Sequence, residues 1–518
     1  MSCEILLQTI LRIHLIVKNN DTIHLSVSKK RYETRCLLGI IAYFCNVQTP
    51  TGRQSFAFSH AIPERGMPSS TSIGNDETTN NRNHIMDLSR LYDIFIQHPT
   101  ITTDSRNCPS GSIFFALKGA SFDGNRFAAK ALEQGCAYAV IDDQTFYDAA
   151  DGRFILVDDC LKMLQNLAHE HRKRLGTKVI GITGTNGKTT TKELMAAVLS
   201  KKYKVLFTEG NFNNHIGVPK TLLRLNAAHE IAVIEMGANH PGEIATLAAI
   251  ADPDYGIITN VGKAHLEGFG SFEGVVRTKG ELYDHLRRKT NGTVFVQSRN
   301  KYLNAMTDGL NAVRYGTTDD PQSTVVGKVL GVSPLLHFSW RTDTVPEQSV
   351  QTHLIGGYNI DNLLAAVCIG RYFDVSPADI NDALGAYVPG NNRSQFEVTA
   401  HNKLIIDTYN ANPTSMEAAL QNFKKMEAGH KMVILGEMRE LGSVTAEEHQ
   451  RIASFLQQAG FEKVWLVGEA FASAEGDFRK FADVEAVKAT LVAEQPQGFH
   501  ILIKGSNGTH LSELPPLL

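Results

Sequence analysis

From Met86 onward, short apolar runs alternate with segments whose apolar residues recur at helical spacing. That alternation predicts parallel strands joined by helices. Ile113 to Ala116, Ala137 to Ile141 and Phe154 to Val157 read as strands, and Phe127 to Gln134 and Leu161 to Arg174 as helices. Lys178 to Ile182 is β-branched and reads as a buried strand. Thr189 to Ser200 reads as a helix with Leu194, Val198 and Leu199 on one side. Ile231 to Gly237 is an apolar strand ending in a carboxylate, and Tyr255 to Asn260 is another strand. Ser376-Pro377 starts a helix, with Ser as N-cap and Pro in the first turn. Further on, strands are predicted at Leu404 to Asp407, Met432 to Leu435, Val464 to Val467 and Ile501 to Ile503. Helices are predicted at Thr414 to Lys425 and Ala446 to Ala459, the second opened by Thr445-Ala-Glu-Glu448 in the form of a capping box.

These patterns predict an α/β protein of three domains. A small α/β domain spans 86–176. A central domain spans 177–389, with a parallel sheet that the glycine-rich turn Gly181 to Thr190, between strand and helix, marks as of the P-loop ATPase kind, and a Rossmann-like domain spans 390–518. Residues 1–85 differ: no period is sustained, the apolar run Leu37 to Val47 is short, and Ser69 to His84 is rich in Ser, Thr and Asn. We read them as a disordered extension outside the folded domains, or as a misassigned upstream start. A targeting segment is the rival reading.

Composition narrows the class. At 518 residues the chain is too long for one ordinary domain, and 42% hydrophobic with 20% charged residues suits a soluble globular protein. A net charge of -3 gives no general electrostatic case for nucleic acid or membrane binding. No apolar run approaches the roughly 20 residues that span a bilayer. Seven cysteines without a Cys-x-x-Cys pair argue against a zinc site or disulfide framework and suit a reducing cytoplasm.

The chemistry centres on Gly181-Ile-Thr-Gly-Thr-Asn-Gly-Lys-Thr-Thr190, a glycine-rich turn between strand and helix. Such a turn aims backbone N–H groups and the positive helix end at phosphate, with Lys188 reaching the terminal phosphates and Thr189 offering a hydroxyl to Mg²⁺. The strict pattern requires glycine at 182, where this chain has Ile182. Glu235, an acid at a strand's carboxyl end beside that loop, is a candidate Mg²⁺ ligand. Other residues keep two readings. Thr103 to Arg106 and Lys118 are turn chemistry, or Arg106 and Lys118 hold a diphosphate. Asn359 and Asn362 share a helical face that either reads a base or caps the helix. By themselves, His265 is a helix-start histidine and Lys279 a solvated charge.

Taken in order, these motifs resemble the Mur ligases, ATP-dependent amide ligases of peptidoglycan precursor synthesis, from Met86 to the C-terminus. Gly210 to Pro219, Asp407-Thr-Tyr-Asn-Ala-Asn-Pro-Thr-Ser415 and Gly436-Glu-Met-Arg-Glu-Leu-Gly442 are similar to members that join D-alanyl-D-alanine to UDP-N-acetylmuramoyl-tripeptide. The Asp-Asn-Pro-Arg motif of the ligase for the preceding step is not found. The resemblance implies ATP and Mg²⁺, with Gly184, Thr185, Asn186, Gly187, Lys188, Thr189 and Thr190 at the phosphates. It implies Asn359 and Asn362 at the adenine, Asp407 at the ribose and Arg393 near the phosphates. Thr189, Glu235, His265 and Lys279 would serve the metals, Lys279 as a carbamate, and Lys188, His265, Lys279 and Arg393 would be catalytic. Asp104, Ser105, Arg106 and Lys118 would bind the UDP precursor, and Asn213, Asn214, Tyr409, Asn410 and Asn412 the substrates. Lys504-Gly-Ser506 matches the family's C-terminal motif, but Asn507 stands where arginine is common. The enzyme is expected to be a cytoplasmic monomer. The rivals are a folylpolyglutamate synthase, disfavoured by the first domain and by Asp407 to Ser415, and a P-loop switch, which Arg393 and Asp407 fit less well.

Overall fold

The computed structural model describes residues 13–18, 22–27, 85–318 and 320–518. The chain forms two units, Met1–Asn75 and Asp76–Leu518. In the first, β1 (Ile13–Lys18) pairs antiparallel with β2 (Thr22–Val27). The other expectations for the first 84 residues, the apolar run from Leu37 and the Ser/Thr/Asn-rich stretch among them, lie outside the described residues.

Among the described residues the second unit contains three sheets. The first is parallel, in the order β3 (Ile101–Thr102), β4 (Ile113–Phe115), β5 (Tyr138–Ile141), β6 (Phe154–Leu156). Ile113, Phe115, Val140 and Ile141 are fully buried, as strands covered on both faces require. Helix α1 (Cys160–Leu175) follows, capped by the Asp159 side chain and ended by Gly176 at φ 66°. Its buried Arg172 donates to Asp254 Oδ2 at 2.7 Å, and the same oxygen accepts from Val179 N at 2.9 Å. The helix is thereby tied to the first strand of the next sheet.

That strand is β7 (Lys178–Thr183), followed by α2 (Lys188–Leu199). The sheet continues with β8 (Val205–Phe207), β9 (Ile231–Glu235), β10 (Tyr255–Ile258), β11 (Thr293–Gln297), β12 (Asn311–Gly316), β13 (Ser323–Gly331), β14 (His337–Arg341) and β15 (Gln348–Gln351). Their order is β15-β14-β13-β12-β11-β10-β7-β9-β8. The expected parallel pairing holds from β8 across to β13, but β14 and β15 run antiparallel. Residues 332–336 are too few for a crossover helix, so the chain must turn back beside itself.

The last sheet has the order β16-β17-β21-β18-β19-β20. Its members are β16 (Gln395–Val398), β17 (Lys403–Asp407), β18 (His430–Gly436), β19 (Lys463–Val467), β20 (Arg479–Phe481) and β21 (Phe499–Lys504). Only the edge pair β16–β17 is antiparallel. Ser376 caps the helix Pro377–Ala386 as expected. The Thr445 capping box is not formed. Val444 occupies the cap position, Thr445 Oγ1 bonds Gly442 O at 2.8 Å, and Glu448 is drawn instead to Lys263 and Arg451. A true capping box sits at Asn412 and Ser415, opening the helix Pro413–Lys425.

Helix α3 (Phe272–Arg287) carries Lys279. Its end is anchored by Asp252, the C-cap of helix Glu243–Ala251, which meets His285 Nε2 at 3.1 Å and Lys289 Nζ at 2.9 Å. The bond to His285, aided by Lys289, holds the Asp252 carboxyl below its ordinary range against the opposing pull of burial. The folded-state value is depressed, so this stabilisation exists above the unfolded value of about 3.9 and is lost as pH falls through the folded one. Asp252→Asn, which tolerates the same left-handed backbone, should cost about 1–2 kcal/mol at neutral pH. Melting curves should show the gap to the unsubstituted protein closing in acid. A gap that ignores pH would sink this account.

Candidate active site

The site begins with three adjacent strand ends. β7 lies between β9 and β10, with Ile182 in register with both Glu235 and Ile257. The carboxyl ends of parallel strands, at the point where the chain's order reverses, are where such sheets take ligands. Glu235, the glycine loop and Thr259-Asn260 emerge there side by side. Gly184 has φ +143°, and a Cβ there would stand 2.0 Å from Thr259 Oγ1. Gly187 has φ +77°, and its Cβ would stand 2.6 Å from Asn362 Oδ1. These two positions need glycine, whereas Ile182 is a fully buried strand residue, which accounts for the departure from the strict pattern. Asn260 holds the loop's tip: its Oδ1 accepts from Asn186 N and its Nδ2 donates to Asn186 O, both at 3.0 Å. Thr185 Oγ1 accepts from Gly262 N at 3.0 Å.

Charged groups gather around this loop. Lys188 Nζ donates to Gly184 O at 2.8 Å and Thr185 O at 3.2 Å. Burial pushes its ammonium below its usual range, Glu235 opposes that, and Arg393 adds to it. Glu235 Oε1 accepts from Asn213 Nδ2 at 2.9 Å and Thr189 Oγ1 at 3.3 Å. Its Oε2 is buried with no hydrogen-bond partner, 3.9 Å from Lys192 Nζ. Lys279 is buried, with Nζ on Ala238 O at 3.3 Å. Desolvation, then the Lys188 charge, brings it down to about 7. His265 sits at φ 49° and faces Glu440 of the last domain. Burial pushes its imidazolium down more than Glu440 raises it.

The last domain closes the other wall. Asp407 and Lys504 are register partners on β17 and β21, and Lys504 Nζ reaches Asp407 Oδ2 at 2.6 Å and Asn410 O at 3.0 Å. The Arg393 guanidinium lies 3.7 Å from the centre of the Tyr409 ring. Asn412 Nδ2 crosses to Asn186 Oδ1 at 2.7 Å. The Asn359 side chain makes no cap bond: it donates to Ile355 O and accepts from Asn362, whose Oδ1 receives Thr191 Oγ1 at 3.0 Å. The pair is thus held against the phosphate loop.

The resulting cleft is about 1050 Å³. It is lined by Thr185 to Thr190, Asn213, Asn214, Glu235, His265, Asn359, Asn362, Arg393, Asp407, Tyr409 and Asn410. Asn214 also caps a turn through bonds from Ile216 N and Gly217 N. Lys279 and Asn412 lie behind the lining. Asp104, Ser105, Arg106 and Lys118 are not brought to the cleft. Arg106 pairs with Asp104 at 2.9 Å, holding that carboxyl down to about 2, and Lys118 pairs with Asp142 at 2.8 Å. Asn260, Lys192, Tyr358 and Glu440 are not among the site residues expected from sequence, and Lys504 is expected only as part of Lys504-Gly-Ser506. Asn260 was detectable by the strand-end rule that selected Glu235.

Of the four expected metal ligands, only Thr189 and Glu235 meet. Among the described residues no group of three or more His, Cys, Asp or Glu is placed to hold a metal. Mg²⁺ commonly takes one or two carboxylates and completes its shell with water and substrate phosphate. The unpartnered Glu235 Oε2 beside Thr189 fits that requirement.

Comparison with known proteins follows the same three-part division. Residues 99–172 match the Mur ligase family catalytic domain, 182–370 the Mur ligase middle domain, and 392–507 the Mur ligase glutamate ligase domain. The UDP-N-acetylmuramoyl-tripeptide–D-alanyl-D-alanine ligase of Bacillus subtilis is 35% identical over 426 residues, which are 80% of this chain and 92% of that protein. A crystal structure of MurF from Acinetobacter baumannii superposes with a TM-score of 0.73 at 32% identity, covering 80% of this chain and 92% of that one. The MurF ligase of Thermotoga maritima, solved with ADP, gives 0.72 at 26% identity, covering 81% and 96%. No described helix is long and apolar enough to cross a membrane. With a phosphate loop, a strand-end glutamate and a wall from the third domain sharing one cleft, the chain belongs to the Mur ligase family.

Proposed function

We propose that this protein is an ATP-dependent ligase that joins D-alanyl-D-alanine to UDP-N-acetylmuramoyl-tripeptide, acting as a monomer in the cytoplasm. The observation that carries the reading is the shared cleft. Lys188 and Glu235 come from the central domain, Arg393 and Asp407 from the last, and all line one cavity. Relatives matched over most of their length bear this activity in their names.

The chemistry requires an activated carboxylate. The tripeptide's terminal carboxylate attacks the γ-phosphate of ATP, giving an acyl phosphate and ADP. The dipeptide amine then attacks the acyl carbon and phosphate leaves. Two anions meet in the first step, so pre-positioned positive charge is the main requirement. Lys188 and Arg393 supply it from opposite walls. Asn359 and Asn362 receive the adenine, Asp407 the ribose, and Asn213, Asn214, Tyr409, Asn410 and Asn412 orient the acceptor side. Asp104, Ser105, Arg106 and Lys118 take the uridine diphosphate, away from the cleft. Thr189 and Glu235 would hold Mg²⁺, which would supply neutralisation of phosphate charge. Lys279 has the burial and lowered basicity that carbamate formation needs, since only the neutral amine reacts with CO₂. As a carbamate it would carry oxygens in place of a repelling cation.

Phosphate release should require all three substrates and yield a pentapeptide product by mass. Release with a single amino acid on a shorter precursor would move the step within the family, and release without any acceptor would remove the ligase reading. Gly187→Ala should weaken ADP binding by about tenfold or more, because it adds a Cβ to a left-handed residue against Asn362. Calorimetry on a variant with an unchanged melting point checks this, and an unaltered affinity refutes it.

A further inference from the structure

Two residues of α2 stand behind or beside Glu235 without lining the cleft themselves. Lys192 is fully buried, and its Nζ has no hydrogen-bond partner. It stands 3.9 Å from Glu235 Oε2 and 3.7 Å from Glu193 Oε1. Glu193 reaches a distant segment: its Oε2 accepts from Tyr387 OH at 2.6 Å, and its two oxygens accept from Asn391 Nδ2 at 3.0 and 3.1 Å. Burial and the adjacent carboxylate raise the Tyr387 phenol, so it remains a donor at working pH.

Tyr387 and Asn391 lie in the linker 387–394 between helix Pro377–Ala386 and β16, and Arg393 comes two residues after Asn391. Its neighbours are strained: Asn392 has φ 56° and Ser394 φ 49°. Such positions persist only where their surroundings hold them. Thr408 N donates to Asn392 O at 3.0 Å, and Tyr358 OH meets Ser394 Oγ at 3.0 Å. Those two bonds secure the linker to its own side and to the helix start at Asn359. Glu193 is the hold from the phosphate-loop helix.

We infer that Glu193 is a positioning residue: from α2 it pins the Tyr387–Asn391 linker so that Arg393 is delivered to the cleft, and Lys192 ties that hold to Glu235. Movement of α2 about bound phosphate is thereby passed to the guanidinium that faces it. The inference rests on the ligase reading for Arg393's role, but the pinning of the linker does not.

The test uses Glu193→Ala, Glu193→Gln, Arg393→Ala and the double variant Glu193→Ala/Arg393→Ala in the full chain. Glu193→Ala should lower kcat about 10–100-fold, with ATP KM changed less than about threefold, as expected for a misplaced group. Glu193→Gln, which keeps one acceptor, should fall between. If Glu193 acts through Arg393, the double variant loses no more than Arg393→Ala alone. Additive losses, or an unchanged kcat in Glu193→Ala, overturn the inference. Amide exchange is read in parallel. Glu193→Ala should deprotect the Thr408 amide, which Asn392 O of the linker holds, while 188–199 stay protected, and equal protection of Thr408 overturns the inference without reference to turnover. If the unsubstituted protein releases no phosphate, the ligase reading falls and the exchange result alone judges the hold.

Discussion

The register of three parallel strands governs the cleft. Ile182 pairs with Glu235 on one side and Ile257 on the other, so the glycine loop, the glutamate and Thr259-Asn260 leave the sheet at one level. A shift by one residue turns every side chain to the opposite face. Glu235 would then point away from Thr189, and Asn260 would leave the loop tip. Ile180, Ile182, Val233 and Ile257 pack as fully buried core, which makes such a shift costly. The precision of the polar site is inherited from apolar packing behind it.

Charge gives the cleft its direction. Lys188 is disfavoured as a cation by burial and by Arg393, and Lys279 by burial and by Lys188. Lys192 is buried without a hydrogen-bond partner, and Glu235 offers one unpartnered oxygen among them. Lys192 stands between Glu235 and Glu193, whereas Lys188 and the unmodified Lys279 oppose each other, and crowding buried cations in this way costs folding free energy. A bound polyphosphate relieves that cost, so binding gains what folding gives up. In the proposed reaction the same positive charge would stabilise charge developing on the transferred phosphoryl group.

What was legible in the sequence was local. The strand before the loop, the loop itself and the acid ending β9 each lie within a few residues, where period and turn chemistry speak directly. Pairings between distant residues were not legible. Asn186 and Asn412 are 226 residues apart, and Glu193 and Tyr387 are 194 apart. Lys279 illustrates the limit: on a helix of ordinary polarity it reads as solvated, and only the packing of α3 beneath Ala238 reveals its burial. Thr445 illustrates the converse. Its motif was correct in form, yet Lys263 of another domain competed for Glu448 and won. The hairpin of β13 and β14 went unread because its burial is irregular, half facing solvent.

The strained positions then acquire a common explanation. His265, Asn392, Ser394 and Glu440 all have positive φ, and all lie where the central and last domains meet. Each such residue costs about 1–3 kcal/mol unless its surroundings compensate. Here the compensation spans the junction: His265 faces Glu440, Ser394 meets Tyr358, and Asn391 beside Asn392 is held by Glu193. Strain on one domain is therefore balanced by contacts from the other. An interface built this way favours one mutual placement over nearby ones, because sliding loses the contacts and leaves the strain. In the proposed reaction positioning needs that property, since Lys188 and Arg393 would approach one phosphate from opposite walls of the cleft.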